Sequence, residues 1–264
     1  MEVPETIRVI VFVSVLLICG AFESLFPRKV LTQSRAFRWF NNLGLIAFNS
    51  ITLTIMMPIV AFEAASIAAD FNFGLIHWTS FNWPFWLELC FGVFALDLAI
   101  YVQHFIFHRV PLLWRLHRMH HADQDIDVTT GTRFHPIEIL ISMWIKIAVV
   151  MLLGVSPLIV IVFEILLNAS AMFNHSNIYL PKFIDRYLRY LIVTPDMHRI
   201  HHSVIPKETH SNFGFFLSLW DRLFCTYLPQ PSLGHQHTSI GLPIFRSKKE
   251  QRIDKMLSQP FRKG

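Results

Sequence analysis

Long apolar runs alternate with short basic stretches along the first two thirds of the chain. The run from Ile7 to Phe26 has about the 20 residues that a helix needs to cross a bilayer. A second run extends from Leu43 to Ala69 and a third from Phe85 to about Phe107. This pattern predicts three transmembrane helices in the N-terminal part of the chain.

A fourth apolar stretch, from Ile139 to Phe173, is interrupted at its middle by the turn-forming residues 154–157. We interpret it as a helical hairpin whose arms, of roughly 16 residues, either cross the membrane or form a shallow re-entrant pair. Lys146 and Glu164 lie at similar distances from the turn on opposite arms. An unpaired charge at that depth is costly, so we expect these two side chains to pair.

Composition supports the membrane interpretation, because 53% of the 264 residues are hydrophobic and only 16% are charged. Soluble domains hold about 25% charged residues. The three cysteines form no CxxC pair and do not indicate a redox compartment. Nucleic acid is an unsuitable partner, since no basic face stands apart from the apolar segments. We expect an all-α integral membrane protein with about three transmembrane helices plus the hairpin, up to five spans, and a histidine-rich helical cap after Asn174.

The positions of basic residues predict the orientation. Cations follow the first and third runs directly, whereas the loop 70–84 has no Lys or Arg. Basic loops favour the cytoplasmic side, so the cap is predicted to be cytosolic. The basic residues concerned are Arg28, Lys29, Arg35, Arg38, Arg109, Arg115 and Arg118. The net charge of +5 also suits contact with anionic lipid headgroups.

Eleven of the 14 histidines lie between His104 and His210. On a helix, positions i, i+3 and i+4 share one face, so each cluster of histidines can direct two or three imidazoles to one point. The histidines form four groups: His104 and His108; His117, His120 and His121; His175 alone; and His198, His201 and His202.

Metal binding explains this spacing better than chance does. Two HxxHH groups would arise by accident with a probability of roughly 0.001 in a chain of this histidine content. Imidazole suits iron, zinc, copper or nickel, and no cysteine lies near enough to suggest a zinc finger or an iron–sulfur cluster. Nine imidazoles exceed the four to six ligands of one ion, so two metal ions are predicted.

Asp97 lies on the same helical stripe as His104 and His108. A carboxylate inside a span requires a partner in the protein interior. Asp97 is therefore expected either to accept a hydrogen bond from a ligand imidazole or to pair with another buried polar group.

At these histidines the chain resembles the fatty acid hydroxylase and sterol desaturase superfamily, whose signature is HxxxH, HxxHH and a second HxxHH beside membrane spans. Further similar blocks are Arg133–Glu138, Asn174–Asn177, Thr194–His202 and Asn212–Phe224, and Glu23–Pro27 resembles the bacterial-type branch. The resemblance covers Phe85 to Leu228. It divides the chain into an N-terminal transmembrane region (1–84), a catalytic domain (85–228) and a C-terminal cytosolic tail (229–264).

The resemblance implies a membrane-bound non-haem oxygenase with two iron ions, held by the nine histidines of the four groups. Dioxygen is its co-substrate, a lipid C–H bond its target, and a separate donor, a ferredoxin or a haem carrier with its reductase, supplies electrons. Hydroxylation is favoured over desaturation, and a bacterial inner membrane over the endoplasmic reticulum. Some relatives have a further histidine where this chain has Tyr179. His135 or His210 either completes the ligand set or has a structural role.

Two alternatives use the same histidines. A membrane zinc hydrolase would need a water-activating acid, and Glu138 is the nearest one, although no HExxH motif occurs. A non-catalytic metal or haem binder would place one or two histidines in facing spans instead of in triples. Asp221 and Arg222 are expected to form a structural ion pair in the cap.

Overall fold

A computed structural model of the protein describes residues 2–263, with side chains from Thr6 onward. Helices form its regular structure, and the described residues contain three isolated β-bridges but no strand. The predicted all-α class is confirmed. The helices are α1 (Glu2–Leu25), α2 (Arg35–Met56), α3 (Ala61–Asp70), α4 (Leu75–Trp78), α5 (Phe85–Arg109), α6 (Pro111–His121), α7 (Pro136–Leu153), α8 (Pro157–His175), α9 (Lys182–Leu188), α10 (Pro195–His201), α11 (Pro206–Thr209), α12 (Leu219–Leu223), α13 (Gly234–His237) and α14 (Ile253–Ser258), with 3₁₀ turns at Val128–Thr132, Lys248–Gln251 and Gln259–Phe261.

Within the described part of the chain, five helical stretches are long and apolar enough to cross a membrane, and the protein is a multi-pass integral membrane protein. Three of them are the predicted spans near the N-terminus, and the other two are the arms of the predicted hairpin. The stretches are Thr6–Leu25, Arg35–Trp78, Phe85–Arg109, Pro136–Leu153 and Pro157–His175.

The second apolar run differs from the prediction of one span from Leu43 to Ala69. Its helix α2 starts earlier and ends at Met56, and the chain continues as the short helix α3. Met57 is extended, with φ −103° and ψ 122°, because the following Pro58 disfavours helical backbone in the residue before it. Hydrophobicity continues across this break, so the prediction of one span overlooked Pro58, the sequence signal that marks it.

The hairpin turn has the predicted position. Gly154 ends α7 in the left-handed region, with φ 69°, and Ser156 precedes the first residue of α8. A side chain at Gly154 would collide with the backbone of Phe73 and Gly74, so this turn requires glycine. The loop before α5 is thereby held against the far end of the hairpin.

The predicted pair across the hairpin is present. Lys146 Nζ donates to Glu164 Oε1 at 2.9 Å. Arg8 of α1 also lies 2.8 Å from Glu164 Oε2. One carboxylate therefore joins α1, α7 and α8 within the apolar layer, where each charge needs a partner.

Two buried acid networks attach the cap to the ends of the spans. Glu23 Oε2, near the end of α1, accepts the N–H groups of Val128 at 3.1 Å and Asn177 at 3.0 Å. Arg38 in the first turn of α2 donates to Asp123 and Asp127. The loop after the first HxxHH motif is thus held in place by α1 and α2.

The C-terminal segment folds back onto α6. Arg115 Nε donates to the carbonyl of Pro260 at 2.8 Å, and Gln251 Nε2 donates to that of Ala122 at 3.0 Å. Met256 is fully buried against Leu45 and Met119. The residues predicted as a tail therefore cover the helix that carries His117, His120 and His121.

Candidate metal centre

Helices α5 and α6 present the first two histidine groups to the same point. His104 and His108 lie one turn apart near the end of α5. The chain then reverses at Val110, and Pro111 starts α6, a position in which proline costs no hydrogen bond. His117, His120 and His121 consequently face the end of α5.

The other two groups come from later elements. His175 is the last residue of α8. His198 and His201 lie on α10, which Thr194 caps by accepting the Met197 N–H. All nine predicted ligands are buried, at most 4% exposed.

The nine imidazoles form two groups, in each of which the potential ligand atoms lie within 4.8 Å of one another. Histidines distant in sequence meet in each group, as binding to shared ions requires. The first, the five-histidine group, consists of His104, His108, His117, His121 and His201, and the second, the four-histidine group, of His120, His175, His198 and His202.

Backbone carbonyls orient several of these rings through their Nδ1 atoms. His104 Nδ1 lies 2.7 Å from the carbonyl oxygen of Phe213, and His201 Nδ1 lies 2.7 Å from that of Ser211. His175 and His120 make the same kind of contact, at 2.7 and 3.2 Å, with carbonyls of α8 and of Arg133. A carbonyl can only accept, so each Nδ1 carries the proton and each neutral ring has its lone pair on Nε2.

These Nε2 lone pairs point at one another. His104 Nε2 lies 3.1 Å from the Nε2 atoms of both His117 and His201. His175 Nε2 lies 3.0 Å from that of His198 and 3.1 Å from that of His120. Facing lone pairs repel unless a cation lies between them. Ligand nitrogens 2.0–2.1 Å from one ion at right angles are about 3 Å apart, so the observed spacing fits two rings on a shared metal.

A proton is a poor candidate for that cation. Burial lowers the pKa of His117 to about 3. Burial and the neighbouring imidazoles also lower the pKa of His198 and His201 well below their ordinary value. The rings are therefore neutral at physiological pH, the form that binds metals. Both ring nitrogens of His108 and Nε2 of His121 are buried without a hydrogen-bond partner, which a metal ligand would explain.

Among the described residues, Glu138 supplies the one carboxylate contact to a predicted ligand. Its Oε1 lies 2.7 Å from His117 Nδ1. Such a contact fixes the tautomer of a ligand imidazole and raises its basicity. From the sequence, Glu138 stood out only as the acid that a hydrolase would need. The signal that could have indicated the contact is the position of Glu138, directly before the apolar hairpin and 17 residues after His121.

Asp97 has the second of its two expected roles. Its Oδ2 accepts the indole N–H of Trp220 at 2.8 Å and the backbone N–H of Leu217 at 3.1 Å. It therefore ties α5 to the cap and contacts no imidazole.

His135 and His210 belong to neither metal group. His135 caps α7 by accepting the Ile137 N–H, and its Nε2 lies 3.2 Å from the carbonyl of Leu257, so both nitrogens are occupied. His210 is half-buried and its ring packs beside His108 at 5.5 Å. Tyr179, at the position where some relatives have a further histidine, is 45% exposed, whereas the nine predicted ligands are buried.

The expected ion pair between Asp221 and Arg222 is wrong, because the two side chains have other partners among the described residues. Asp221 instead accepts the N–H groups of Phe213 and Gly214 at 2.7 and 2.8 Å. Arg222 lies over the ring of Tyr227, 4.1 Å from its centroid. Asp221 thus positions the loop whose Phe213 carbonyl orients His104.

A cavity of about 420 Å³ lies among α1, α2, α5, α7 and α8 beside the five-histidine group. His104, His117 and Glu138 line it, and Lys146 and Glu164 line it farther along α7 and α8. The rest of the wall is mainly apolar, with Phe12, Ile46, Leu53, Ile100, Phe107, Ile139, Met143, Leu167 and Phe215.

Comparison with known proteins agrees with the site. The profile of the fatty acid hydroxylase family matches residues 89–226, just over half of the chain. Ornithine lipid hydroxylase OlsE of Rhizobium tropici is 28% identical over 265 residues, 97% of this chain and 76% of OlsE. No solved structure matches.

More distant similarity extends to animal enzymes. The alkylglycerol monooxygenases of Xenopus tropicalis and Danio rerio are each 29% identical, over 66% and 61% of this chain. The chain spans only 38% and 34% of their lengths. The predicted class, a membrane oxidoreductase, is confirmed, and the chain belongs to the fatty acid hydroxylase family.

Proposed function

We propose that the nine histidines hold two iron ions and that the protein uses them, with dioxygen, to hydroxylate a C–H bond in a membrane lipid. The supporting observation is the convergence of Nε2 lone pairs about 3 Å apart while the Nδ1 protons are directed outward. Five rings would bind one ion and four the other. The reaction consumes one dioxygen, two electrons and two protons, and it yields one hydroxyl group and one water.

The cavity beside the five-histidine group is the proposed lipid site. Its volume lies in the range of about 300–1,000 Å³ that is usual for ligand pockets. Its mainly apolar wall suits an acyl chain, and His104 and His117 place one end of it at the metal centre. A chain lying there would displace water from the reacting carbon.

The protein's own residues orient the imidazoles that would hold the iron ions. When bound, iron supplies dioxygen activation and hydrogen abstraction. The carbonyls of Phe213 and Ser211 keep the Nδ1 protons of His104 and His201 directed outward, and Glu138 does so for His117. Rings held in this way need little reorganisation when they bind a metal.

The relatives support hydroxylation over desaturation. OlsE is named as a hydroxylase of an ornithine lipid, and the alkylglycerol enzymes are named as monooxygenases. All three relatives act, by name, on lipids, and OlsE covers nearly the whole of this chain. We infer that the substrate is a membrane lipid with a polar headgroup, in preference to a sterol.

The orientation and the electron supply complete the proposal. The basic loops that follow α1 and α5 favour a cytosolic cap, and the bacterial origin of OlsE favours an inner membrane. A separate cytosolic protein would supply the two electrons.

Lipid extracts of cells that express the protein test this function. Growth under ¹⁸O₂ should yield a lipid with one labelled hydroxyl group, and His121→Ala should abolish that product. His237→Ala is the matched control, because His237 is exposed and lies outside both groups. A product with a new double bond and no labelled oxygen atom would mean that the protein is a desaturase and not a hydroxylase. A product that persists in His121→Ala would contradict the metal assignment.

The alternatives are less well supported. A zinc hydrolase would need Glu138 to activate water, but the chain has no HExxH motif and belongs to the fatty acid hydroxylase family. A haem takes one or two axial histidines, whereas each group here brings together four or five imidazoles. Zinc without iron in the purified, active protein would favour the hydrolase.

A further inference from the structure

The C-terminal segment carries a strongly positive surface that the oxygenase function leaves unexplained. Among residues 85–263, Asp254 is the one exposed acidic side chain. Six exposed cations surround it in the sequence. We call these six the basic C-terminal surface: Arg246, Lys248, Lys249, Arg252, Lys255 and Lys263.

This surface lies over the metal centre. Gln251, between the exposed cations, donates to the carbonyl of Ala122, next to His121, at 3.0 Å. Its Oε1 accepts from Arg133 Nη1 at 2.6 Å. The carbonyl of the same Arg133 accepts from His120 Nδ1 at 3.2 Å. A hydrogen-bonded connection therefore links the basic C-terminal surface to the four-histidine group.

Exposed apolar side chains occur on another part of the cap. On and just after α9, Phe183 is 65% exposed, Tyr187 71% and Leu191 67%. Aromatic and aliphatic side chains of this kind suit the membrane interface. Between Arg246 and Lys263, by contrast, Phe261 is the one large hydrophobic side chain that is exposed, at 64%. The basic C-terminal surface therefore suits a water-soluble partner better than lipid.

We propose that the basic C-terminal surface docks an acidic, water-soluble electron-carrier protein. This inference rests on the proposed oxygenase function, which requires two electrons for each turnover. The carrier delivers them one at a time and is itself oxidised, and the metal centre is reduced. Opposite charges on two surfaces steer association and orient the partner. Docking here would bring the carrier above α6 and Gln251.

Anaerobic stopped-flow kinetics test the docking without any lipid turnover. The iron-loaded protein in nanodiscs of neutral lipid would be mixed with a reduced, acidic plant-type [2Fe–2S] ferredoxin, and ferredoxin oxidation followed. The test variant is Lys248→Glu/Lys249→Glu/Arg252→Glu. The control variant, Lys182→Glu/Arg186→Glu/Lys207→Glu, changes the net charge equally at exposed cations elsewhere on the cap.

We expect the test variant to lower the second-order rate constant of ferredoxin oxidation by about tenfold or more, and to make it less dependent on salt. The control variant should stay within about threefold of the wild-type rate constant. Lys248→Gln/Lys249→Gln should give an intermediate loss, with thermal unfolding unchanged. Equal rates for wild type and test variant, or equal losses in test and control, would overturn the docking site. Reduction by dithionite separates the two proposals: if dithionite reduces no bound metal in wild type, the oxygenase function fails instead.

Discussion

Glu138→Leu tests how the protein holds its metal ligands. The leucine side chain is close in size to glutamate but removes the carboxylate that lies 2.7 Å from His117 Nδ1. Glu138 is only 3% exposed, so water cannot replace the lost carboxylate. His117 Nδ1 then has no acceptor, and its ring loses its fixed orientation.

The magnitude follows from the nature of the contact. Loss of a carboxylate partner from a metal-ligating histidine typically costs 10–100-fold in metal affinity or activity. That loss corresponds to about 1.4–2.8 kcal/mol of binding free energy. His117 is one of five rings in its group, so we expect one metal to bind more weakly and the other to be retained.

Competition against a soluble chelator would measure the two affinities separately, with bound iron followed by its absorbance. Glu138→Gln is the matched variant, because its amide oxygen can still accept from His117 and should preserve most of the affinity. If Glu138→Leu left the affinity for both irons unchanged, or weakened both equally, Glu138 would not be the residue that holds a ligand of one site.

Three further predictions concern the scaffold and can be checked by thermal unfolding of the purified protein. Glu164→Leu should destabilise more than Lys146→Met, because the first change leaves two cations, Lys146 and Arg8, unpaired whereas the second leaves Glu164 paired with Arg8; the reverse order would contradict this pairing. Asp97→Leu should cost about 1–3 kcal/mol of stability through two unpaired N–H donors but leave iron content unchanged, and loss of iron would restore a role beside the imidazoles. Burial would raise the pKa of Asp123, but the arginines beside it hold that pKa below its ordinary value. The ionised Asp123 should therefore stabilise the fold fully above the unfolded pKa of about 3.9, and this stabilisation should be lost as the pH falls through the lower folded pKa. A free energy of unfolding that stays constant down to pH 2 would contradict this role of Asp123.

The clustering of the nine histidines could be predicted from the sequence because its signal is local. Spacings of three and four residues place imidazoles on one helix face whatever the rest of the fold does. The order of apolar runs likewise predicted α1, α5 and the hairpin. Which histidine joins which group was not predictable, since His120 and His121 are adjacent in sequence and lie in different groups.

The surroundings of the ligands depend on tertiary structure and were largely missed. The carbonyl of Phe213 reaches His104 only because Asn212 adopts a left-handed conformation, with φ 53°, and Asp221 holds the loop. Asp97 and His104 do lie on the same face of α5, but seven residues of helix separate them by about 10 Å. That distance places Asp97 beside Trp220 instead of the imidazoles.

Iron stoichiometry tests whether the two histidine groups each hold one metal ion. Anaerobically reconstituted protein would be examined by metal analysis and Mössbauer spectroscopy, alone and with one ligand of each group changed in turn, His121→Ala and His202→Ala. We expect two irons per chain in the wild type. His121→Ala should weaken one of the two sites and His202→Ala the other. A single iron per chain, or variants that both retain two unperturbed irons, would contradict it.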